Sequence, residues 1–405
     1  MLQPNPETTT TPPPLQPTRE PDYLEYRPSR KRFDNLEPIE NVTYSPVVEK
    51  LARNRTLARK AIAGVMAIST TFAAYLGDTN MNIQREQQAE ATISVVADAL
   101  NEENSDTAIL FFDGFNAKEA KYLGRTLGPG AQEGLVDGQI WAANFNNDPA
   151  NREKIYEITK DLMAERGVNT LIVYAHSKGG TNGTQLSVDT ITNSWTNVDA
   201  VIMSKTPSGY DGLRSYKQEE LQLGMVASNV WRLRYSTPAR IGLEMLFNQH
   251  KFTQGSDIDN VGNFIDEFTD VTNRFISSDL TTTSFLIEQI DDIHKTNFPD
   301  EFAKLPEVEP TKQMPVIVYL GTAEPAYDSV VDDKKSGDDI CAAAEENGLT
   351  CIRDEVESFH SLYYQSVDKF NEAYVRIGDD LREAIAKEQA RVAISRSELA
   401  RKENR

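Results

Sequence analysis

Five short apolar runs constrain this chain more than any other feature: 107–112 (TAILFF), 138–145 (GQIWAANF), 169–175 (NTLIVYA), 198–203 (VDAVIM) and 315–320 (PVIVYL). Each carries apolar side chains at consecutive positions, so each reads as a strand covered on both faces. After the second run, Asp148-Pro149 offers an N-cap and a proline at the first helical position. Ile155, Ile158, Leu162 and Met163 then share one helical face, and Gly167 stands where that helix would end. Buried strands alternating with amphipathic helices imply an α/β fold, a doubly wound, mostly parallel sheet with helices on both sides.

The alternation stops near residue 212. Residues 213–311 read as helices with no clear strand, the pattern of a helical cap inserted into one α/β domain. It resumes with 315–320, a helix over about 338–347 and a strand around 350–356. A last helix follows, with Tyr363, Val367, Phe370, Tyr374, Ile377 and Leu381 at spacings of four and three. The core is therefore expected in two parts, 106–212 and 312–385, with a charged helical tail over 386–405. Ahead of the core, 78–105 is expected to be a helical linker.

Residues 1–48 hold ten of the nineteen prolines and repeat no apolar face, the composition of a disordered tail. With the basic stretch Lys50, Arg53, Arg55, Arg59 and Lys60 it makes a 1–60 leader to seventeen uncharged residues, 61–77 (AIAGVMAISTTFAAYLG). As a helix that run rises about 25 Å, the short edge of what a bilayer needs. Basic residues before it and Asp78 after it would anchor the chain with residues 78–405 outside the cytoplasm. Five Ala, two Thr and a Ser dilute the apolar signal, so a buried or interfacial helix is the competing reading.

The formal net charge is −20, and residues 1–60 hold ten Lys/Arg against eight Asp/Glu, so the body after residue 60 carries −22. Such a body repels phosphate backbones, which argues against nucleic acid as a partner. The two cysteines, Cys341 and Cys351, form no CxxC pair or Cys/His cluster with zinc spacing, and no metal or cofactor is implied. A chain turning back after Asn347-Gly348 could bring them within disulfide reach. Two buried thiols fit equally well.

The strongest local signal is LIVYA-His176-Ser177-Lys178-Gly179-Gly180, a serine between an apolar strand and a helix, with small residues two before (Ala175) and two after it (Gly179). Here the sequence resembles the α/β-hydrolase family, whose G-x-S-x-G turn it matches with alanine for the first glycine. The resemblance implies a serine hydrolase of carboxylic esters or thioesters, with a small-molecule or lipid acyl ester as substrate. Ser177 would be the nucleophile and His360, between the last strand and the last helix, its base. It leaves two acids open to orient His360, Asp328 and Glu324, with Asp328 favoured for its side chain and its Asp-x-x-Val setting. Asp332 and Asp333 read as solvated charge.

By the same resemblance, the backbone N–H groups of Phe115 and Lys178 would form an oxyanion hole, although Asp113 stands where the family often has histidine. Of the other histidines, His176 lies inside the turn but reads as pointing elsewhere, and His250 and His294 fall in the cap. A scaffold protein of the same fold without turnover, and an acyltransferase using an alcohol other than water, are the competing functions. Substrate identity and oligomeric state are not legible in the sequence.

Overall fold

The computed structural model describes residues 90–403 apart from 115–119, 146–151, 194–195, 229–236, 248–256, 277–282, 306–310, 323–327, 329 and 361–362. Seven strands form one sheet: β1 (Thr92–Ala97), β2 (Thr107–Phe112), β3 (Gln139–Asn144), β4 (Thr170–His176), β5 (Asn197–Ser204), β6 (Val316–Gly321) and β7 (Cys351–Glu355). Their order is β1-β3-β2-β4-β5-β6-β7. All pairs are parallel except β1 with β3.

The strands read as continuous apolar runs because alternate residues enter two different cores. Leu110 and Phe112 of β2, Val173 and Ala175 of β4 and Ile317 of β6 point into one cluster. Helices α2 (Arg152–Arg166), α3 (Gly179–Thr192) and α9 (Asp333–Glu346) cover that face, through Ile155, Met163, Leu186, Ile191, Ile340 and Ala344. Ile109, Phe111, Ile172, Ile202 and Val318 point the other way, onto α1 (Lys121–Gly134) and α10 (Val367–Glu403). Each such fully buried aliphatic or aromatic side chain contributes about 1.5–3 kcal/mol relative to exposure. On α10 the buried positions Phe370, Tyr374, Ile377 and Leu381 keep the spacing read in the sequence. The Tyr374 hydroxyl donates to that of Tyr174 on β4 at 2.8 Å.

Between β5 and β6 lie α4 (Ser215–Ser228), α5 (Thr237–Phe247), α6 (Asp257–Ile276), α7 (Thr283–Lys295) and α8 (Phe298–Ala303). The inserted block has small cores of its own, one built from Leu213, Leu221, Leu243, Leu286, Ile290 and Ile293, the other from Met245, Leu246 and Val271. The last of the five helices, α8, returns to the sheet, burying Phe298 and Phe302 in the first core.

The structure departs from the sequence reading at four places. Residues 92–97, expected in a helical linker, form edge strand β1, with Thr92 opposite Asn144 and Val95 opposite Trp141. Thr92, Ile93, Val95 and Val96 are β-branched and prefer an extended backbone once a strand edge is there to pair with. The helix expected over 338–347 starts earlier, at Asp333, because the Asp332 side chain caps it by accepting from the Lys335 N–H. The tail expected as a separate element is the continuation of α10, tied down where Glu388 accepts from the Met314 N–H and Arg391 donates to the Lys312 carbonyl.

The fourth correction concerns the membrane anchor and the extracytoplasmic placement drawn from it. Among the described residues no helix is long and apolar enough to cross a membrane. Even α10, at 37 residues, alternates its buried stripe with charged positions. The run 61–77, like the 1–60 tail, lies outside the described residues, and its Ala and Thr content makes it a weak apolar segment. Cys341 and Cys351 are joined by a disulfide between α9 and β7, with the Cα atoms 5.4 Å apart.

Helix α1 was not legible at all, since Pro129 and four glycines lie within it. It forms because Leu123, Leu127 and Ala131 are buried on the sheet and because it can approach α10 closely. A Cβ at Gly378 would lie 2.0 Å from the Gly134 carbonyl oxygen, so the two helices touch backbone to backbone. Gly378→Ala should therefore force them apart and lower stability by about 1–3 kcal/mol in denaturant unfolding. Gly262→Ala, at a helical position with open space around it, should instead be neutral or stabilising. Equal stability of the two variants would contradict the close crossing.

Candidate active site

The parallel strands end on a common edge, and the sequence motif sits at its centre. Beyond β4 the chain turns sharply, and Ser177 takes a φ of 53°, one of two non-glycine residues with positive φ among those described. For a residue with a Cβ this conformation costs about 1–2 kcal/mol. The turn is held by the Ser177 N–H, which donates to the Ser204 carbonyl at 2.8 Å, and by the Ser177 carbonyl, which accepts from Gly180 at 3.0 Å. The small residue after the serine is required by space. A Cβ on Gly179 would lie 2.7 Å from the carbonyl oxygens of both Phe112 and Asp113.

Three side chains form a continuous line. The Ser177 Oγ is 2.7 Å from His360 Nε2, and His360 Nδ1 is 2.7 Å from Asp328 Oδ2. A carboxylate only accepts, so Nδ1 carries the proton and Nε2 is left to accept from the serine hydroxyl. All three residues are buried. Of the two acids left open by the sequence, Asp328 meets His360; Glu324 lies outside the described residues.

Asp328 is fixed at its other oxygen, where Oδ1 accepts from the N–H groups of Val330 and Val331 at 2.8 Å each. Arg214 donates to its carbonyl at 2.7 Å, and a bridge between Leu213 and Val331 pins the same loop to the chain leaving β5. Burial alone would raise the Asp328 carboxyl. His360, Lys205 and the Val331 N–H outweigh it and hold the group well below the usual carboxylate range.

Four neighbours of this line were misread or missed in the sequence. Asp333, read as solvated charge, is buried, accepting from the Tyr319 hydroxyl at 2.9 Å and the Thr322 N–H at 3.0 Å. Burial and the nearby Asp328 push it up to about 7. His176, read as pointing elsewhere, places Nε2 2.8 Å from the His360 carbonyl oxygen. Since a carbonyl only accepts, Nε2 carries its proton, and burial followed by the neighbouring His360 pushes the imidazole down to about 3, so it stays neutral. Lys205 and Arg214 had no distinguishing pattern; the only signal for Lys205 is a charge placed directly after an apolar strand.

The resemblance assigned Phe115 and Lys178 to an oxyanion hole. Phe115 lies outside the described residues, while Lys178 is the N-cap of α3, where helical N–H groups lack intrahelical acceptors. The Lys178 side chain donates to Asn182 at 2.6 Å and to Asp292 of α7 at 2.8 Å. It thereby ties the turn to the inserted helices, and the Thr181–Thr296 hydroxyl pair at 3.1 Å does the same. Asp113 bends back to accept from the Gly114 N–H at 2.7 Å. His294 packs edge-on against Tyr210, and His250 lies outside the described residues. Among the described residues no group of three or more His, Cys, Asp or Glu side chains could hold a metal ion.

No protein-family model and no curated protein matches the chain. Solved structures do. A lipase-esterase related protein from Clostridium acetobutylicum ATCC 824 is 10% identical, with a TM-score of 0.43 over 72% of this chain and 99% of that one. An esterase from Exiguobacterium antarcticum is 11% identical, with a TM-score of 0.43 over 72% and 96%. A homoserine O-acetyltransferase from Staphylococcus aureus is 12% identical, with a TM-score of 0.42 over 72% and 95%. A seven-stranded sheet parallel but for its first strand, helices on both faces and a serine on the tight turn from β4 into α3 make up the α/β-hydrolase fold, and that is the fold of this chain.

Proposed function

We propose that the chain is a serine hydrolase that cleaves a carboxylic ester or thioester, of a small molecule or a lipid, through an acyl-enzyme on Ser177. The observation that carries this reading is the unbroken line Ser177–His360–Asp328 at 2.7 Å per step, starting from a serine on a strained turn. Strain at a position that aims a hydroxyl off the sheet edge is the kind of outlier from which a functional role is inferred.

A serine hydroxyl is a weak nucleophile near neutral pH. As its Oγ attacks the ester carbonyl, the proton passes to His360 Nε2, and Asp328 stabilises the imidazolium through Nδ1–H. The carbonyl oxygen gains the negative charge, with the N–H of Lys178 at the head of α3 and that of Phe115 as its donors. Collapse of the tetrahedral species breaks the bond to the alcohol or thiol, which leaves with the proton from Nε2. Water, activated by the same nitrogen, then releases the acid and restores the serine.

Ser177→Ala should fold normally and lose both hydrolysis of a p-nitrophenyl ester series and labelling by a fluorophosphonate probe. Undiminished turnover in the folded variant would sink the mechanism. Asp328→Asn should cost on the order of 10⁴ in kcat, because the amide cannot hold the useful tautomer. Glu324→Gln should leave kcat within a few-fold of the parent. If the glutamate change were the damaging one, Asp328 would not be the orienting acid.

A further inference from the structure

We propose, resting on the serine-hydrolase reading, that Lys205 is a positioning residue for His360 and Asp328: its ammonium holds the loop that carries the histidine and stands as the buried counter-charge to the acid. Lys205 directly follows β5 and is the second of the two described non-glycine residues with positive φ, at 51°. Its N–H donates to the Leu320 carbonyl at 2.8 Å, extending the β5–β6 pairing by one step. The strained backbone and the Ser177 turn thus lie at the ends of neighbouring strands. The Lys205 side chain is fully buried.

An ammonium out of water is costly, and an apolar side chain would fill the same space without that cost. What the ammonium adds is specific. Nζ donates to the Ser358 carbonyl at 2.6 Å, two residues ahead of His360. It also stands 3.9 Å from Asp328 Oδ2, the oxygen that meets His360, and 3.8 Å from Asp333 Oδ2. The loop is gripped a second time where His176 donates to the His360 carbonyl, so two buried side chains hold the backbone on either side of the imidazole.

The charged and titratable groups facing Lys205 are Asp328 from the loop after β6, Asp333 of α9, and Tyr319 of β6 behind it. His360 is reached through Asp328, and His176 lies at the end of β4. His176 and Tyr319 stay neutral near neutral pH, because burial disfavours the charged form of each. That leaves Lys205 as the one cation among these groups when His360 is the free base. Its removal should favour the imidazolium, leaving less of His360 as free base toward low pH.

Lys205→Met alone leaves two buried carboxyls without a cation and could fail to fold, so the test uses Lys205→Met/Asp333→Asn against Asp333→Asn. Two readouts are taken on the full chain: turnover of p-nitrophenyl esters as a function of pH, and the titration of the His360 ring by NMR with ¹³C-labelled histidine. The chain has only four histidines, and the His360 signal is identified by its loss in His360→Gln. The double variant should fold, lose about 10- to 100-fold in kcat with KM little changed, and show the acid limb of its rate profile and the His360 titration both moved to higher pH. A double variant matching Asp333→Asn in both readouts overturns the proposal. So does a rate loss with an unmoved titration, which would make Lys205 a packing residue. Should the parent turn over no ester at all, the acyl-transfer reading falls and the titration alone decides the role of Lys205.

Discussion

The candidate site depends on the sheet's hydrogen bonding continuing one step past the ends of its central strands. Ser177 donates to the Ser204 carbonyl and Lys205 to the Leu320 carbonyl, so β4 is tied to β5, and β5 to β6, by a residue beyond the last regular one of each. These bonds pin two residues in a left-handed conformation that neither would adopt freely. One projects its hydroxyl toward His360; the other drives its side chain into the space beneath the histidine loop. The strain is borne where packing on both faces of the sheet overdetermines the backbone.

Around that edge the protein buries an unusual amount of charge. Asp328, Asp333 and Lys205 are all out of solvent within one another's reach, and the arrangement sorts the two acids by environment. Asp328 receives two N–H donors, an imidazole and an ammonium, and stays ionised. Asp333 receives a tyrosine hydroxyl and one N–H and lies 3.8 Å from the same ammonium, but burial and the neighbouring charge of Asp328 outweigh them and push its carboxyl up to about 7. Two carboxyls on one side of a strand end thereby acquire different states, because a second full negative charge has too few compensating partners there. The net charge of −20 is a separate matter and acts on what can approach the molecule.

The sequence made the strands of the central sheet legible, since a strand buried on both faces must be apolar at consecutive positions, and β2 begins and ends where the pattern placed it. It also exposed the Ser177 turn, whose requirements are local: a strand before, a helix after and small residues at close-approach positions. What it obscured was anything fixed by distant partners. Helix α1 looks unhelical until Gly134 is seen against Gly378, and β1 has no reason to be a strand without the free edge of β3. The uncharged run 61–77 shows the opposite hazard, an apolar-leaning composition that suggests a spanning helix while no described helix has the length and hydropathy to cross a membrane.

The residue pattern by itself thus determined the α/β class, the inserted helices and the serine turn, because each leaves a signature within a few dozen residues, while the candidate histidine came from the family resemblance. Only the tertiary structure decided that Asp328 meets His360, that Asp333 is buried rather than solvated, and that His176 and Lys205 grip the histidine loop. Those contacts join residues as far as 184 and 153 positions apart. A lysine after an apolar strand and a histidine before a serine carry no mark of the carbonyls they will hold. Hydrogen bonds and buried charges take their meaning from three-dimensional neighbours, and a linear pattern records only the periodicity of burial.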